Sequence, residues 1–420
     1  CPIYKMHLHS KLKHTLTQLY SKASMTVFRD PISNLVMYIY RELILMVLSY
    51  KSTGSITLNK PNTEYDQQPL NTKSEIPAAQ ETVLTALDTW ITPTDRFYIR
   101  NHFTETPTLE PTSVELIIDG EVGSPLSLNY QEILKMPATE SAVTLECAGN
   151  SRSYANPPAE GIQFEHGAVG NAVWKGVPLK DLLITAGLKP SATEILFTGA
   201  DNGEEEEEGE TLQVQYQRSL PVSEALRPLT LVAYEMNGES LSQSHGSPLR
   251  LIVPNWYGMA SVKWLEKITA IVKPFDGFFQ SRRYVHIGEG ISHRTEWTPV
   301  ERIQVKSLVT SPRHGHVIRS KEYSIQGVAW SGEGDIVKVE ISTDGERTWS
   351  AADLQPNDTS AAWHQWTFPF CDFKPGHYII SARAYDDAGN TQPPSIPWNF
   401  RGYANNSIHS IAIEVGSMEA

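Results

Sequence analysis

The sequence has few cysteines and no excess of positive charge. Its 420 residues include three cysteines, Cys1, Cys147 and Cys371, which lie far apart in sequence. Neither a disulfide framework nor a zinc site of the Cys-x-x-Cys type is therefore indicated. The formal net charge of −13 argues against a general nucleic-acid-binding protein. Such a charge favours solubility and would also suit docking of a basic protein partner.

Long hydrophobic runs are also missing. The most apolar stretch near the N-terminus, 35–48, is interrupted by Arg41 and Glu42 and is shorter than the roughly 20 residues that cross a bilayer. Its uncharged part, 43–48, is shorter than the apolar segment of a signal peptide. We therefore predict a soluble protein without a membrane span, and the sequence leaves its compartment open between cytoplasm and periplasm.

Four regions differ in their residue patterns. Residues 1–82 are predicted to be an N-terminal extension and linker, because Ser, Thr, Asn, Gln and Pro dominate positions 50–81. From 83 to 309, short strands and helices between long irregular segments are typical of a domain that shapes a cofactor pocket. Alternating apolar and polar residues predict an Ig-like β-sandwich over 310–407, followed by a tail at 408–420. The fold class is thus α+β, mainly β.

Local signals predict individual elements inside these regions. Asn129 and Glu132 form a capping box for a short helix. Pro178 and Gly187 mark the start and the end of a second one. Five consecutive glutamates at 204–208 predict a solvated loop tip.

Cys147 lies in the most informative stretch of the chain, 145–152. Most lone cysteines are buried and inert, but Ala148 and Gly149 are too small to pack well as core and leave space beside the sulfur. Arg152 is expected to lower the pKa of the thiol and so to favour the thiolate, which binds soft metals. These neighbours make Cys147 a candidate metal ligand.

The stretch 145–152 closely resembles the molybdenum-ligand motif of the sulfite oxidase family, Cys-Ala-Gly-Asn-Arg-Arg, with Ser151 in place of the first arginine. Further segments match the family in the same order, so the resemblance extends from about Pro93 to Ser407. These segments are 97–102, 171–179, 233–238, 245–250, 261–263 and 398–402.

The resemblance implies a molybdopterin-binding domain followed by an Ig-like dimerisation domain, and oxidation of sulfite to sulfate. Cys147 would be the metal ligand, and the substrate residues would be Arg100, Arg152, Tyr284 and Arg401. The cofactor residues would be Tyr98, Ile99, Arg100, Asn101, His102, Asp201, His245, Arg250, Ser261, Val262 and Lys263. No haem is expected on this chain, so electrons would pass to a separate acceptor such as a cytochrome c or oxygen, and the protein would be a homodimer.

The charges of these residues suit their implied roles. Sulfite is a small dianion, so its pocket needs fixed cations and a hydrogen-bond donor. A phosphate group in a buried site needs guanidinium and imidazole donors of the kind that Arg250 and His245 provide.

Two positions depart from the family pattern, and several other functions stay open. Phe164 stands where the family has a tryptophan that lines the pocket, and Ser151 removes a positive charge, so the exact substrate is in doubt. A nitrate reductase-like enzyme or another member of the superfamily is one alternative. A non-catalytic binding protein with an Ig-like module is another. A thiol-dependent hydrolase built on Cys147 would need a histidine base such as His102 or His245.

Overall fold

The computed structural model of the protein describes residues 70–417, apart from positions 208, 292 and 372. In this part of the chain the strands are β1 (Leu70–Ser74), β2 (Ala79–Thr82), β3 (Ile99–Arg100), β4 (Glu115–Gly120), β5 (Leu126–Asn129), β6 (Thr139–Glu146), β7 (Val169–Pro178), β8 (Glu194–Glu207), β9 (Glu210–Pro221), β10 (Leu231–Met236), β11 (Glu239–Ser240), β12 (Arg250–Ile252), β13 (Leu265–Ile271), β14 (Val285–His286), β15 (Thr298–Pro299), β16 (Lys306–Ser311), β17 (Val317–Ile318), β18 (Glu322–Trp330), β19 (Ile336–Ser342), β20 (Ser350–Ala351), β21 (Asp353–Leu354), β22 (His364–Cys371), β23 (Gly376–Asp386) and β24 (His409–Val415).

The helices in the described residues are short. The α-helices are α1 (Tyr130–Leu134), α2 (Leu179–Thr185) and α3 (Val222–Ala225). Single 3₁₀ turns lie at Leu84–Ala86, Thr94–Arg96, Pro111–Ser113, Arg152–Tyr154, Gln243–His245, Gly258–Ala260 and Arg294–Glu296, and a π-helical turn at Phe279–Arg283. The predicted class, α+β and mainly β, is therefore confirmed.

Two sheets form the framework of the first domain. One has the strand order β11-β10-β7-β6, with β12 also paired to β10, and the other has the order β5-β4-β13-β8-β9. A small sheet, β1-β2-β3, carries Arg100 on its last strand. Strand β6 ends at Glu146, so Cys147 is the first residue beyond the sheet. Strand β12 begins at Arg250, so a buried sheet position holds that guanidinium.

The second domain is a β-sandwich. Its two sheets have the strand orders β16-β18-β22-β21 and β17-β24-β23-β19-β20. Val309 and Trp366 of the first sheet share a hydrophobic core with Val339 and Ile380 of the second. The predicted Ig-like sandwich is therefore confirmed.

The local helix signals also hold. Asn129 Oδ1 accepts a hydrogen bond from the backbone N–H of Glu132 (3.1 Å), and Glu132 Oε2 accepts one from the N–H of Asn129 (2.9 Å). These two bonds form the predicted capping box of α1. Helix α2 buries Leu179, Leu182 and Leu183, and it is followed by Gly187 with a φ of +69°, a conformation that favours glycine.

Strands lie across or beyond the predicted domain boundaries at three places. Of the predicted extension 1–82, residues 1–69 lie outside the described residues, but β1 and β2 are regular strands, in which Lys73 pairs with the buried Glu81 at 2.7 Å. Composition averaged over 50–81 hid this short ordered part. Strand β16 begins at Lys306, before the predicted boundary at 309. Strand β24 lies in the predicted tail, and its alternating inward residues belong to the sandwich core.

The prediction of a solvated tip for the glutamate run was wrong for two of its members. The run continues β8 in a hairpin with β9. Glu205 Oε2 lies 3.6 Å from Arg283 Nη1, and Glu207 Oε2 lies 2.6 Å from Arg282 Nη1. The glutamate side chains are only 12% and 15% exposed, because arginines from the π-helical turn cover them. Glu208 lies outside the described residues.

Buried histidines make the stability of the fold depend on pH, and His409 in β24 allows a clean test. Burial lowers the pKa of His409 to about 3, with the nearby Lys306 adding to the effect. Its Nδ1 accepts a hydrogen bond from the N–H of Val309 (3.0 Å). The unfolded state, with an ordinary histidine pKa, binds a proton below about pH 6.5 that the folded state does not bind, so acid destabilises the fold. From pH 7.5 to 5.5 this one group should remove about 1.4 kcal/mol of unfolding free energy.

His409→Gln should reduce that pH dependence by the same amount, measured by urea unfolding at the two pH values. His377→Gln is the matched control, because His377 lies exposed on β23 in the same sheet. Equal pH dependence in His409→Gln and the parent would contradict the assignment of a buried neutral His409.

Candidate active site

The loop after β6 holds Cys147 between two cavities. The backbone N–H of Cys147 donates to the carbonyl of Ala168 (2.9 Å), and the N–H of Asn150 donates to the carbonyl of Cys147 (2.9 Å). The side chain is 8% exposed and lines both an outer cavity of about 660 Å³ and a smaller inner cavity. A group bound to this sulfur would therefore have access to both cavities.

The thiol of Cys147 is not activated as the sequence suggested. Burial raises its pKa, and the opposing effects of Arg100 and, more weakly, Arg152 do not offset burial. Arg152 does lower the pKa of this thiol, as predicted, but the expected net shift toward the thiolate was wrong because burial has the larger effect. Without a bound cation, Cys147 is a buried neutral thiol.

Glycines give Arg152 its place beside Cys147. A Cβ atom on Gly149 would lie 2.7 Å from Nη1 of Arg152, and one on Gly161 would lie 3.0 Å from it. The small residues after Cys147 thus make space for this guanidinium. Arg152 Nε donates to the carbonyl of Arg401 (2.7 Å) and Nη1 to that of Ile162 (2.7 Å). These bonds fix a buried cation at the wall of the outer cavity.

Four arginines and a tyrosine surround the outer cavity next to Cys147. They are Arg100, Arg152, Arg283, Arg401 and Tyr284. Arg100 Nη1 has no hydrogen-bond partner within the described residues, although it is buried, and the same holds for Arg401 Nε. Buried guanidinium groups with unused donors are suited to bind an anion. The same cavity is also lined by three exposed glutamates, Glu105, Glu160 and Glu204, and by the largely buried Glu205, which pairs with Arg283.

The inner cavity has the character of a site for a polar, anionic molecule. Its lining residues are Tyr98, Arg100, His102, Cys147, Ala148, Asp201, Tyr216, Ser244, His245, Arg250, Gly258, Met259, Ser261, Lys263 and Tyr284. Asp201 Oδ1 and Arg250 Nε are buried and unpaired within the described residues. One of these unpaired atoms is a hydrogen-bond acceptor and the other is a donor. Together they indicate a ligand that supplies a donor to Asp201 and an acceptor to Arg250.

Three basic side chains meet at one side of the inner cavity. Arg250 Nη1 donates to the carbonyl of His245 (3.2 Å), and its guanidinium lies 5.1 Å from the ring centre of Trp174. Lys263 Nζ donates to the carbonyl of Ser244 (3.0 Å) and to the side chain of Asn101. Burial lowers the pKa of His245 to about 3 and that of Arg250 to about 10, and it also lowers the pKa of Lys263. A bound phosphate would reverse these shifts by restoring a counter-charge.

His102 holds Tyr284 in place. From the sequence, His102 had been assigned only to the binding of the cofactor. The Tyr284 hydroxyl and Nε2 of His102 are hydrogen-bonded at 2.6 Å. Burial, followed by the charge of Arg100, lowers the pKa of His102 well below its usual value, and burial raises the pKa of Tyr284. Both groups are therefore neutral at physiological pH. The fully buried Arg218 also lies near this tyrosine, with its guanidinium 5.8 Å from the centre of the Tyr284 ring.

The second domain contributes directly to the outer cavity. Arg401 and Tyr403 both line it, and the guanidinium of Arg152 lies 5.0 Å from the ring centre of Tyr403. The N–H of Ala404 donates to the carbonyl of Ala148 in the Cys147 loop (2.9 Å). The candidate active site therefore needs both domains.

Most of the residues expected from the sequence come together, and a few lie outside the cavities. Ile99, Asn101 and Val262 line neither cavity; Asn101 contacts Lys263, and Val262 is part of the hydrophobic core. Phe164 is fully buried in a cluster with Cys147 and is not part of the cavity wall, contrary to the expectation from the family tryptophan. Its smaller ring packs completely into the core.

The lining residues that sequence reasoning did not select include three with polar or charged side chains next to the candidate residues, Arg283, Tyr403 and Tyr216. Arg283 and Tyr403 lie one and two positions from Tyr284 and Arg401. Proximity to residues already selected was the one signal that could have found them. No local pattern marks Tyr216, which lies within strand β9.

Within residues 70–417 as described, no group of three or more His, Cys, Asp or Glu side chains is arranged to hold a metal ion. The helices of the same residues include none that is long and apolar enough to cross a membrane.

Comparison with known proteins identifies the family. The model of the oxidoreductase molybdopterin binding domain matches residues 103–279, and that of the Mo-co oxidoreductase dimerisation domain matches 298–416. The sulfite oxidase of Arabidopsis thaliana is 31% identical over 387 residues, which cover 84% of this chain and 97% of that protein. The chain belongs to the sulfite oxidase family.

Other members of the sulfite oxidase family and its superfamily show a similar degree of likeness. Mitochondrial sulfite oxidase of Rattus norvegicus is 32% identical over 351 residues, or 78% of this chain and 62% of that protein. The chain thus spans about three fifths of the rat enzyme. A nitrate reductase [NADH] of Volvox carteri is 32% identical over 355 residues, covering 77% of this chain and 40% of that protein.

A solved structure has a similar fold. The sulfane dehydrogenase SoxCD from Paracoccus pantotrophus superposes with a TM-score of 0.72 at 26% identity, covering 85% of this chain and 91% of that chain. The predicted order of a molybdopterin-binding domain and an Ig-like dimerisation domain is confirmed.

Proposed function

We propose that this member of the sulfite oxidase family oxidises sulfite to sulfate, with a molybdenum-molybdopterin cofactor bound through Cys147. The observation that carries this proposal is the position of Cys147 between an outer cavity with four arginines and an inner cavity with unpaired buried polar atoms. The outer cavity suits a small dianion, and the inner cavity suits a phosphate-bearing cofactor.

The residues of the inner cavity fit this cofactor. His245, Arg250 and Lys263 would bind its phosphate, Ser261 would supply a further donor, and Asp201 would contact the cofactor. The thiolate of Cys147 would bind molybdenum, a metal for which sulfur is a favourable donor. When bound, the cofactor supplies the redox chemistry, since it accepts the two electrons that are released when sulfite and water give sulfate and two protons.

The protein's own part in this reaction is to hold and orient the substrate. Arg100, Arg152 and Arg401 neutralise the dianion, and the neutral Tyr284 hydroxyl donates a hydrogen bond to one of its oxygens. His102 fixes the rotamer of Tyr284 through their 2.6 Å hydrogen bond. Because both groups of this pair are neutral, they do not weaken the positive field of the arginines.

The same proposal extends to partners. The electrons pass to a separate acceptor, such as a cytochrome c or oxygen, and two copies of the chain associate through the dimerisation domain.

The size of the outer cavity favours a second candidate substrate. A cavity of about 660 Å³ is much larger than a four-atom anion requires. A sulfane sulfur at the end of a longer carrier molecule would fill more of it, and SoxCD is a sulfane dehydrogenase of the same fold. The hydrolase alternative has less support, because His102 bonds to Tyr284 and His245 to the carbonyl of Thr94.

Metal analysis combined with turnover tests these proposals. Purified protein should contain molybdenum and pterin in a ratio near one per chain and should reduce ferricyanide when sulfite is added. Thiosulfate and glutathione persulfide should be compared with sulfite, and nitrate reduction should be assayed with reduced viologen. Protein without molybdenum would exclude the enzyme class, whereas molybdenum with faster persulfide than sulfite turnover would favour the second candidate.

A further inference from the structure

A buried ion pair joins the Cys147 loop to the second domain. Lys306 Nζ, at the start of β16, lies 2.9 Å from Oε1 of Glu146, the residue before Cys147, and the two side chains are 1% and 2% exposed. Trp330 Nε1, at the end of β18, donates to the other carboxylate oxygen of Glu146 (2.9 Å). Both oxygens of this buried carboxylate are thus bound by the sandwich.

The same ammonium group also reaches the other end of the loop. Lys306 Nζ donates to Ser151 Oγ and to the carbonyl of Asn405, each at 2.8 Å. Its three donors therefore all have acceptors. Asn405 Nδ2 donates in turn to the carbonyl of Ser151 (3.0 Å). One lysine of the second domain thus binds the residues on both sides of the segment 147–150.

The backbone of Ser151 depends on such contacts. Its φ is +69°, in the left-handed region that a serine rarely adopts, and surrounding contacts must maintain this conformation. Besides Lys306, the ring nitrogen Nδ1 of His166 is hydrogen-bonded to Ser151 Oγ at 2.8 Å. The turn at Ser151 decides the direction of the chain at Arg152, whose guanidinium lines the outer cavity.

We infer that Lys306 is a positioning residue of the active site. By binding both ends of the loop, it holds Cys147 and Arg152 in their positions relative to each other. The second domain then acts on the metal ligand as well as on the substrate. The kinetic consequences of this inference rest on the proposed function. Its structural consequence, that Lys306 orders the loop, does not depend on the proposed function.

The main test compares Lys306→Met, which keeps the length of the side chain but removes its charge, with Lys306→Arg and with Arg302→Met. Arg302 is the matched control, because it also bridges the domains: its Nη2 lies 2.7 Å from Glu224 Oε1, and its Nη1 donates to the carbonyl of Gly332 (3.0 Å). Neither contact involves the Cys147 loop. Each full-length variant is purified as the parent is, and hydrogen-deuterium exchange of residues 146–152 is measured.

Lys306→Met should exchange faster than the parent in residues 146–152, and Lys306→Arg should restore part of the protection. Arg302→Met should exchange as the parent does in this segment, even if its melting temperature falls. In protein that carries molybdenum, Lys306→Met should also change the Mo(V) electron paramagnetic resonance signal and lower kcat/KM for sulfite roughly a hundredfold. Its KM should rise because Arg152 moves, and its kcat should fall because Cys147 moves.

The inference would be overturned if Lys306→Met matched Arg302→Met both in the hydrogen-deuterium exchange of residues 146–152 and in its kinetics. If Lys306→Met does not fold, Ser151→Ala is compared with His166→Phe, because Ser151 Oγ binds both Lys306 and Nδ1 of His166 and the second variant removes only the histidine contact. Faster exchange of residues 146–152 in Ser151→Ala than in His166→Phe would support the inference, and equal exchange in the two variants would overturn it. A parent protein without sulfite turnover would contradict the proposed function, while the exchange data would still decide the role of Lys306.

Discussion

Cys147→Ser should fold normally and lose sulfite turnover, together with most of its bound molybdenum. A serine oxygen is a hard donor that stays protonated at neutral pH, so it cannot replace a thiolate toward a soft metal site. We expect a loss larger than the roughly 10- to 100-fold that changes outside the ligand sphere cause. The measurements are molybdenum per chain, ferricyanide reduction with sulfite, and the melting temperature.

Cys371→Ser is the matched control for this change. Cys371 is the other free cysteine of the described residues, and it lies exposed at the end of β22 in the second domain. It should retain both metal and turnover. Sulfite turnover in Cys147→Ser at the level of this control would overturn the assignment of Cys147 as the metal ligand.

The position of Cys147 and its role as a candidate could be predicted because the signal is local. Small residues after the cysteine and an arginine at 152 stand within one short loop, and the structure uses them together: Gly149 leaves the space that the Arg152 guanidinium occupies. The sign of the pKa shift could not be predicted in this way. It depends on how completely the loop is buried by the rest of the fold, and burial outweighs both arginines.

Sequence patterns could not predict charge pairs between residues that are far apart in the chain. Lys306 and Glu146 are 160 positions apart, and a lysine at the start of a strand is usually a solvated residue. The same holds for Glu205 and Arg283, which approach each other only because the β8–β9 hairpin meets the π-helical turn. Charge pairs of this kind are set by tertiary packing, so composition predicted a solvated glutamate run.

The strands were easiest to predict where one face of a sheet is buried. Alternation in β19 and β23 reflects the sandwich core and predicted the second domain. Alternation also exists in β24, where His409, Ile411, Ile413 and Val415 are buried, although these residues were predicted to lie in a tail. Strands β1 and β2 are rich in polar residues, and their order depends on pairing with each other and with β3.

Arg401→Gln should raise the KM for sulfite, because a buried charge-assisted hydrogen bond to the anion is lost. Such a bond contributes about 1.5 to 3 kcal/mol, which corresponds to roughly a ten- to a hundredfold change in KM. Arg401→Lys should restore only part of the affinity, since an ammonium group cannot bind two oxygens in the manner of a guanidinium. Sulfate should inhibit the parent and inhibit the glutamine variant less.

Arg100→Gln separates binding of the substrate from binding of the cofactor. Arg100 lines both cavities, whereas Arg401 lines only the outer one. Arg100→Gln should therefore lower both the affinity for sulfite and the molybdenum content, while Arg401→Gln should keep the metal and change only KM. If both variants keep the parent's KM for sulfite and Arg401→Gln instead raises the KM for a persulfide, the arginines serve a larger sulfur substrate. The molybdenum site at Cys147 would then stand, and sulfite would have to be given up as the substrate.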